Sequence, residues 1–151
     1  MNTINYEIDI DAPVEKVFEY YTNADNIKNA WPQDIVKESE SLSTAKNEEG
    51  SEMKVKGEYM GREGEMIIEV TEKDQNKLLV TEQKEGPFQY WKSTQKFNAG
   101  EGNTHVRHEI SYELPTTGKV ANFLSGDKAE NKLKDGLKQA AQTVKQKLES
   151  Q

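Results

Sequence analysis

The sequence contains no cysteine. This absence excludes disulfide bonds, thiolate catalysis and zinc sites with cysteine ligands. No run of about 18 apolar residues occurs, so no transmembrane helix is predicted. No basic N-terminal stretch leads into an apolar segment, and no signal peptide is therefore predicted. Together these absences favour a cytoplasmic protein.

Basic residues are also scarce relative to acidic ones, with 20 Lys and Arg against 27 Asp and Glu among 151 residues. A nucleic acid is not an expected partner, because neutralising its phosphates requires clustered basic side chains. Hydrophobic residues make up only 33% of the chain. They are nevertheless patterned rather than scattered, which indicates a folded structure with a small core. At this length we expect one domain over residues 1–151.

The patterning changes in a definite order along the chain. Alternation predicts a strand over residues 2–10, followed by a helix that begins near Pro13, is capped by Asp11 and runs to Tyr21. A second short helix is predicted over residues 25–30. Six further strands, separated by turn signals, are predicted over residues 35–43, 51–60, 64–73, 77–85, 89–98 and 104–114. Their short connections predict an antiparallel meander.

The last segment is predicted to be a long amphipathic helix. Its apolar stripe consists of Leu133, Leu137, Ala140 or Ala141, Val144 and Leu148. A sheet with one polar face must cover its other face, and only this helix is large enough to do so. A strongly curved sheet folded around one helix leaves space between them, so the sequence predicts an internal cavity.

The order of elements, the opening IDIDAPVEKVFEYYTNADNIKNAWP and the closing helix resemble the START-like, or SRPBCC, superfamily. Its members include polyketide cyclase-like proteins and coenzyme Q-binding proteins. The resemblance is carried by Ile8, Ile10, Ala12, Pro13, Val14, Val17, Phe18, Tyr21, Trp31 and Pro32. It implies an α+β helix-grip fold, in which a curved seven-stranded antiparallel sheet wraps around the C-terminal helix, with two short helices after the first strand. It also implies binding of a hydrophobic or amphipathic small molecule, such as a lipid, quinone or polyketide.

Few residues suggest catalysis. The two histidines, His105 and His108, are three residues apart on a predicted strand, so they point to opposite faces and cannot chelate one ion. His108 is expected to face the cavity, either as a hydrogen-bonded residue at the edge of the core or as a ligand-contacting or acid-base group. The weak catalytic candidates are His108, Tyr112 and Glu82. Neither a metal nor a cofactor is expected.

Strand alternation selects most of the residues expected to face the ligand, and Phe123 and Leu124 come from the C-terminal helical segment. The predicted ligand-binding set is Trp31, Met53, Val55, Tyr59, Met66, Ile68, Trp91, Ser93, Gln95, Phe97, His108, Ile110, Tyr112, Phe123 and Leu124. Aromatic and methionine side chains mixed with a few polar ones suit an apolar pocket, although an ordinary core has the same residue types. The fifth strand is ambiguous, because Leu78 and Leu79 suit either face.

Three functions follow as hypotheses. The first is a non-enzymatic carrier or sensor of a hydrophobic small molecule, which the lack of a catalytic motif favours. The second is a cofactor-free cyclase or dehydratase that confines a polyketide-like substrate beside one acid-base group. The third is a protein-interaction or chaperone-assisting module, which the highly charged surface argues against.

Overall fold

A computed structural model describes residues 1–43, 48–59, 62–115 and 126–151 of the chain. The strands are β1 (Asn2–Ile10), β2 (Val36–Ser41), β3 (Glu52–Tyr59), β4 (Arg62–Asp74), β5 (Leu78–Glu85), β6 (Tyr90–Ala99) and β7 (Thr104–Glu113). The helices are α1 (Val14–Thr22), α2 (Asp25–Ala30) and α3 (Gly126–Glu149). Every predicted element is therefore present, and most bounds differ by no more than one or two residues.

The seven strands form one antiparallel sheet in the order β1-β7-β6-β5-β4-β3-β2. Strands β2 to β7 follow each other as a meander, and β1 pairs with β7 in a register that sets Ile4 opposite Ile110. The first two strands therefore lie at opposite edges of the sheet, and α1 and α2 connect these edges. The curled sheet with its C-terminal helix and two short helices confirms the predicted helix-grip architecture.

The core lies on the concave face, between the sheet and the helices. Burial alternates strictly along β3 and β7, as expected for strands with one covered face. From the helices, α1 contributes Val17 and Phe18 and α3 contributes Leu137 and Val144. The amphipathic stripe of α3 thus covers the sheet as predicted. None of the described helices is long and apolar enough to cross a membrane.

The start of α1 differs from the prediction. Pro13 is the N-cap, and no side chain makes a capping hydrogen bond, so the expected capping role of Asp11 is wrong. The helix begins one residue later than expected, which leaves Asp11 two positions before the N-cap. Its backbone N–H instead donates to Glu149 Oε2 over 2.8 Å. Asp11 therefore ties the end of β1 to the end of α3.

One glycine is required for the edge of the sheet to close. A Cβ at Gly57 would overlap the backbone carbonyl oxygen of Ile35. That same oxygen accepts a hydrogen bond from the backbone N–H of Glu58 over 2.9 Å. The chain entering β2 therefore lies directly against β3, and only a residue without a side chain permits this approach.

Candidate functional site

A cavity of about 140 Å³ lies between the concave face of the sheet and the helices. Strands β3 to β7 form its floor, and all three helices contribute to its other walls. Its described wall consists of Tyr20, Tyr21, Asn23, Asn26, Ile27, Ala30, Trp31, Ile35, Val36, Met53, Val55, Tyr59, Met66, Ile68, Leu79, Thr81, Trp91, Ser93, Gln95, His108, Ile110, Leu133, Leu137, Ala140, Ala141 and Val144. The curved sheet and the long helix therefore leave the internal space that the sequence predicts.

Most of the residues predicted to bind a ligand lie in this wall. They are Trp31, Met53, Val55, Tyr59, Met66, Ile68, Trp91, Ser93, Gln95, His108 and Ile110. Strand alternation places ten of them there, since every second residue of β3, β4, β6 and β7 faces inward, and Trp31 follows α2. Their contact with a ligand stays a prediction.

Two predicted residues face the same side but lie outside the wall. Phe97 packs edge-on against Phe18 and Tyr21, and its ring centroid lies 5.1 Å from that of Phe18 and 5.4 Å from that of Tyr21. Phe97 therefore packs against the ring of Tyr21, which lines the cavity. Tyr112 is fully buried and packs edge-on against Phe88 at 5.9 Å. Phe123 and Leu124 lie outside the described residues.

Glu82, one of the three weak catalytic candidates, does not lie in the described wall of the cavity. On β5 the wall residues are Leu79 and Thr81, which puts Glu82 on the opposite, outer face. There its cross-strand neighbours are Glu69 of β4 and Lys92 of β6. Leu78, Leu79 and Val80 are consecutive apolar residues, so alternation along β5 does not by itself determine which of them faces inward.

The most specific polar contact of the cavity joins Tyr21 and His108. The Tyr21 hydroxyl and His108 Nε2 are 2.7 Å apart, and His108 Nδ1 is 3.0 Å from the backbone oxygen of Tyr6. Since a carbonyl oxygen can only accept, Nδ1 carries the proton and Nε2 accepts from Tyr21. Burial lowers the pKa of His108 to about 4, against the opposing effect of the Tyr6 carbonyl. His108 is therefore a neutral imidazole with both nitrogens engaged.

Further polar side chains continue from His108 across the floor. Gln95 lies directly opposite His108 on the neighbouring strand, and Gln95 Nε2 donates to Ser93 Oγ over 2.9 Å. Ser93 in turn lies opposite Thr81 of β5. A short polar track thus crosses three strands of an otherwise apolar floor, an arrangement that orients a bound molecule.

The contributions of α1 and α2 to the cavity wall were not predicted from the sequence. Tyr20 and Tyr21 both line the cavity, although they are consecutive residues on α1. The Tyr20 hydroxyl is buried and has no hydrogen-bond partner among the described residues. The available signal was the pair of tyrosines itself, because a phenol at a core position brings a polar group that requires a partner. The remaining missed wall residues are Asn23, Asn26, Ile27, Ala30, Ile35, Val36, Leu79 and Thr81.

The described part of the chain holds no cluster of metal ligands. No three of its His, Asp and Glu side chains are grouped so as to hold a metal ion. Its exposed large hydrophobic side chains are Met1, which precedes β1, and Leu42, which follows β2 at the opposite edge of the sheet, so they form no apolar patch. A protein-interaction role therefore has no structural support from these residues.

Comparisons with known proteins give a consistent result. The model of a family described as "Polyketide cyclase / dehydrase and lipid transport" matches residues 1–149. A search of curated proteins finds no significant match. Among solved structures, the protein TTHA0849 from Thermus thermophilus superposes with a TM-score of 0.80 at 17% identity, covering 99% of this chain and 98% of that one.

Two further structures share the fold. The Zhui aromatase/cyclase from Streptomyces sp. R1128 has a TM-score of 0.76 at 14% identity, with 98% of this chain and 93% of that chain covered. A START superfamily protein from Mycobacterium smegmatis has a TM-score of 0.73 at 14% identity, with 98% and 97% covered. These likenesses and the family match confirm the START-like, polyketide cyclase-type ligand-binding fold that the sequence predicts.

Proposed function

Because the chain belongs to the polyketide cyclase / dehydrase and lipid transport family, we propose that it binds a hydrophobic or amphipathic small molecule as a carrier or sensor. The observation that carries this proposal is the cavity between the sheet and α3. Its wall is mainly aliphatic and aromatic, with a few polar groups that converge around His108. Binding pockets for small molecules have this composition.

The size of the cavity limits what it can hold. At about 140 Å³, it is close to an engineered protein cavity of about 150 Å³ that binds benzene. A molecule of about one ring therefore fits without rearrangement. A longer lipid, a quinone with its tail or a multi-ring polyketide requires the helices to move away from the sheet.

The test is a binding screen on protein stripped of co-purified molecules. Lipids, quinones and aromatic polyketides are added separately, and the melting temperature is measured. A ligand present at 100 times its Kd adds about 2.7 kcal/mol to the unfolding free energy, which raises the melting temperature by roughly 5–10 °C at this chain length. No shift with any class would contradict a binding function.

A pair of matched variants locates the binding site. Ala140→Leu places three extra carbon atoms in the cavity wall, so it should abolish the ligand-induced shift. Ala99→Leu makes the same change at an exposed position of β6 and should preserve the shift. Equal shifts in both variants would place the ligand outside the cavity.

A second candidate function is a cofactor-free cyclase or dehydratase, which the hydrogen bond between Tyr21 and His108 favours. Tyr21 and His108 both line the cavity, and Nε2 of the neutral imidazole accepts the Tyr21 hydroxyl proton, so the pair can relay a proton. Turnover of polyketide-like substrates is the measurement. His108→Asn should abolish turnover and Glu109→Gln, on the outer face of β7, should retain it. Full turnover by His108→Asn would exclude this reaction route.

A further inference from the structure

A second space of about 320 Å³ lies beside the cavity, between the helices α1 and α2 and the strands β2, β3 and β4. We call it the polar groove, because its described wall includes Glu19, Asn23, Asp25, Glu40, Ser41 and Ser51. The cavity wall, by contrast, has no Asp, Glu, Lys or Arg among its described residues. A charged group is therefore disfavoured in the cavity, where it would lose its hydration, and tolerated in the groove.

The polar groove and the cavity meet at Asn23 and Met53, which line both spaces. Asn23 is held at the end of α1, since its side-chain oxygen accepts a hydrogen bond from the backbone N–H of Asp25 over 3.0 Å. Met53 is 7% exposed and belongs to the apolar core. A methionine side chain has three rotatable bonds and adapts its shape to its surroundings. Met53 is therefore the side chain that can move aside for a ligand extending from one space into the other.

The charges of the polar groove favour a cation. Asp25 and Glu40 each have a lysine nearby, with Lys28 Nζ 3.7 Å from Asp25 and Lys54 Nζ 3.4 Å from Glu40. Glu19 forms no ion pair with the described residues, so the groove keeps a carboxylate that no described lysine or arginine neutralises. No three acidic or histidine side chains of the described chain are grouped to hold a metal ion. An organic cation therefore suits this space better than a metal.

We propose that the ligand is an amphipathic amine whose apolar part of about one ring lies in the cavity and whose ammonium group lies in the polar groove, with the connecting chain passing Met53. This rests on the binding function proposed above and extends the site into a second space. The two spaces divide the work, since the cavity removes the apolar part from water. The groove leaves the ammonium group hydrated beside carboxylates.

The test compares phenylalkyl ammonium ions, alcohols and carboxylates that have one to four methylene groups between the ring and the polar group. Their Kd values are measured at pH 7 by titration calorimetry or NMR. With the longest chain the ammonium ion should bind at least about fivefold more tightly than the carboxylate, and 1 M salt should remove most of this preference. With the shortest chain the charge stays in the cavity, so both ions should bind more weakly than the alcohol.

Methyl NMR locates the two ends of the bound molecule. Leu137 lines the cavity but not the groove, and Val70 lines the groove but not the cavity. The longest ammonium ion should shift the methyl signals of both residues, whereas benzyl alcohol should shift only those of Leu137. Unchanged Val70 signals with the longest ammonium ion would overturn the proposal.

The variant Glu19→Gln tests the charge of the groove. It should reduce the preference of the longest ammonium ion over its alcohol, while the affinity for the alcohol stays unchanged. The matched control Glu109→Gln removes the same charge on the outer face of β7 and should keep the preference. Equal preferences in Glu19→Gln and the parent chain would overturn the proposal.

The remaining outcomes separate this proposal from the binding function. If the alcohols bind but the ammonium ions show no preference at any chain length, the proposal is overturned and the binding function stands. The same conclusion follows if only a lipid or quinone from the wider screen binds. If no compound of either set binds, both proposals fail.

Discussion

On β7, His105 and His108 lie three residues apart and point to opposite faces of the sheet. His105 is partly exposed on the convex face, where Nε2 lies 2.8 Å from Glu7 and Nδ1 lies 2.7 Å from Asp9. Hydrogen bonds to Glu7 and then Asp9 raise its pKa. His108, on the concave face, is 3% exposed and its pKa is lowered by burial. The same residue type is thus favoured as a cation on one face and as a neutral group on the other.

The two faces differ in the same way along the other strands. The convex face carries cross-strand ion pairs that are largely exposed, including Lys54 with Glu40, Lys56 with Glu65, Lys84 with Glu52 and Arg107 with Glu7. Such pairs contribute little individually, because water and salt screen them. The concave face holds few polar groups, and the buried ones, such as Ser93 and His108, are costly to leave without a partner. The convex face should therefore tolerate changes that the concave face does not.

Gly57→Ala should give the largest effect. Position 57 shares the concave face with Met53, Val55 and Tyr59, and the added Cβ would overlap the Ile35 carbonyl oxygen. Backbone must move, and the hydrogen bond from Glu58 N–H to that oxygen is lost with it. We expect the free energy of unfolding to fall by at least about 3 kcal/mol, measured by urea denaturation.

The matched control for Gly57→Ala is Lys54→Ala, on the convex face of the same strand. It removes an ion pair of 3.4 Å with Glu40. The expected loss is less than about 1 kcal/mol, as for other solvent-screened pairs. Comparable losses for the two variants would mean that the faces do not differ in tolerance.

The second prediction concerns the loss of stability at acidic pH that protonation of His108 causes. His108 takes up a proton at about pH 4 when folded and at 6.5 when unfolded, so the unfolded state binds more protons in this interval. Stability must therefore fall as the pH decreases from 6.5 towards 4, and the loss is complete below 4. The contribution of His108 is on the order of 3 kcal/mol, since each pKa unit corresponds to about 1.36 kcal/mol.

NMR titration measures this pKa directly, because the chain has only two histidines. The His105→Gln variant removes one of the two ring signals and thereby assigns them. One midpoint should lie well below 6.5 and the other above it. A His108 midpoint at or above 6.5 would show that its environment does not favour the neutral form.

The fold was predictable from the sequence because its signals are local and repeated. The helix α2 is an example, since its predicted bounds, residues 25–30, are the bounds observed. Alternation along β3, β6 and β7 likewise identified their inward faces. The contact made by Asp11 was not predictable in this way, because its backbone N–H donates to Glu149 at the far end of the chain.

The residues that line the cavity could be predicted only on strands where apolar and polar residues alternate regularly. On β5 the consecutive apolar residues Leu78, Leu79 and Val80 left the inward face undetermined, so Glu82 was named as a candidate and Leu79 and Thr81 were missed. The hydrogen bond between Tyr21 and His108 joins residues 87 positions apart. The spacing of apolar residues along the chain cannot predict such a contact, because it depends on how α1 packs across the sheet.

The smallest expected effect comes from His105→Gln on the convex face. The raised pKa of His105 means that its ion pairs stabilise the folded state fully below pH 6.5, and that this stabilisation is lost as the pH rises through the folded pKa. Because His105 is 36% exposed, solvent screening should limit the loss in the variant to less than about 1 kcal/mol at pH 6. The loss should shrink further at pH 9 or in 1 M salt, measured by thermal denaturation of both proteins. A loss that grows with pH would contradict the assigned charge state, and one that resists salt would show that the convex face is not governed by screened ion pairs.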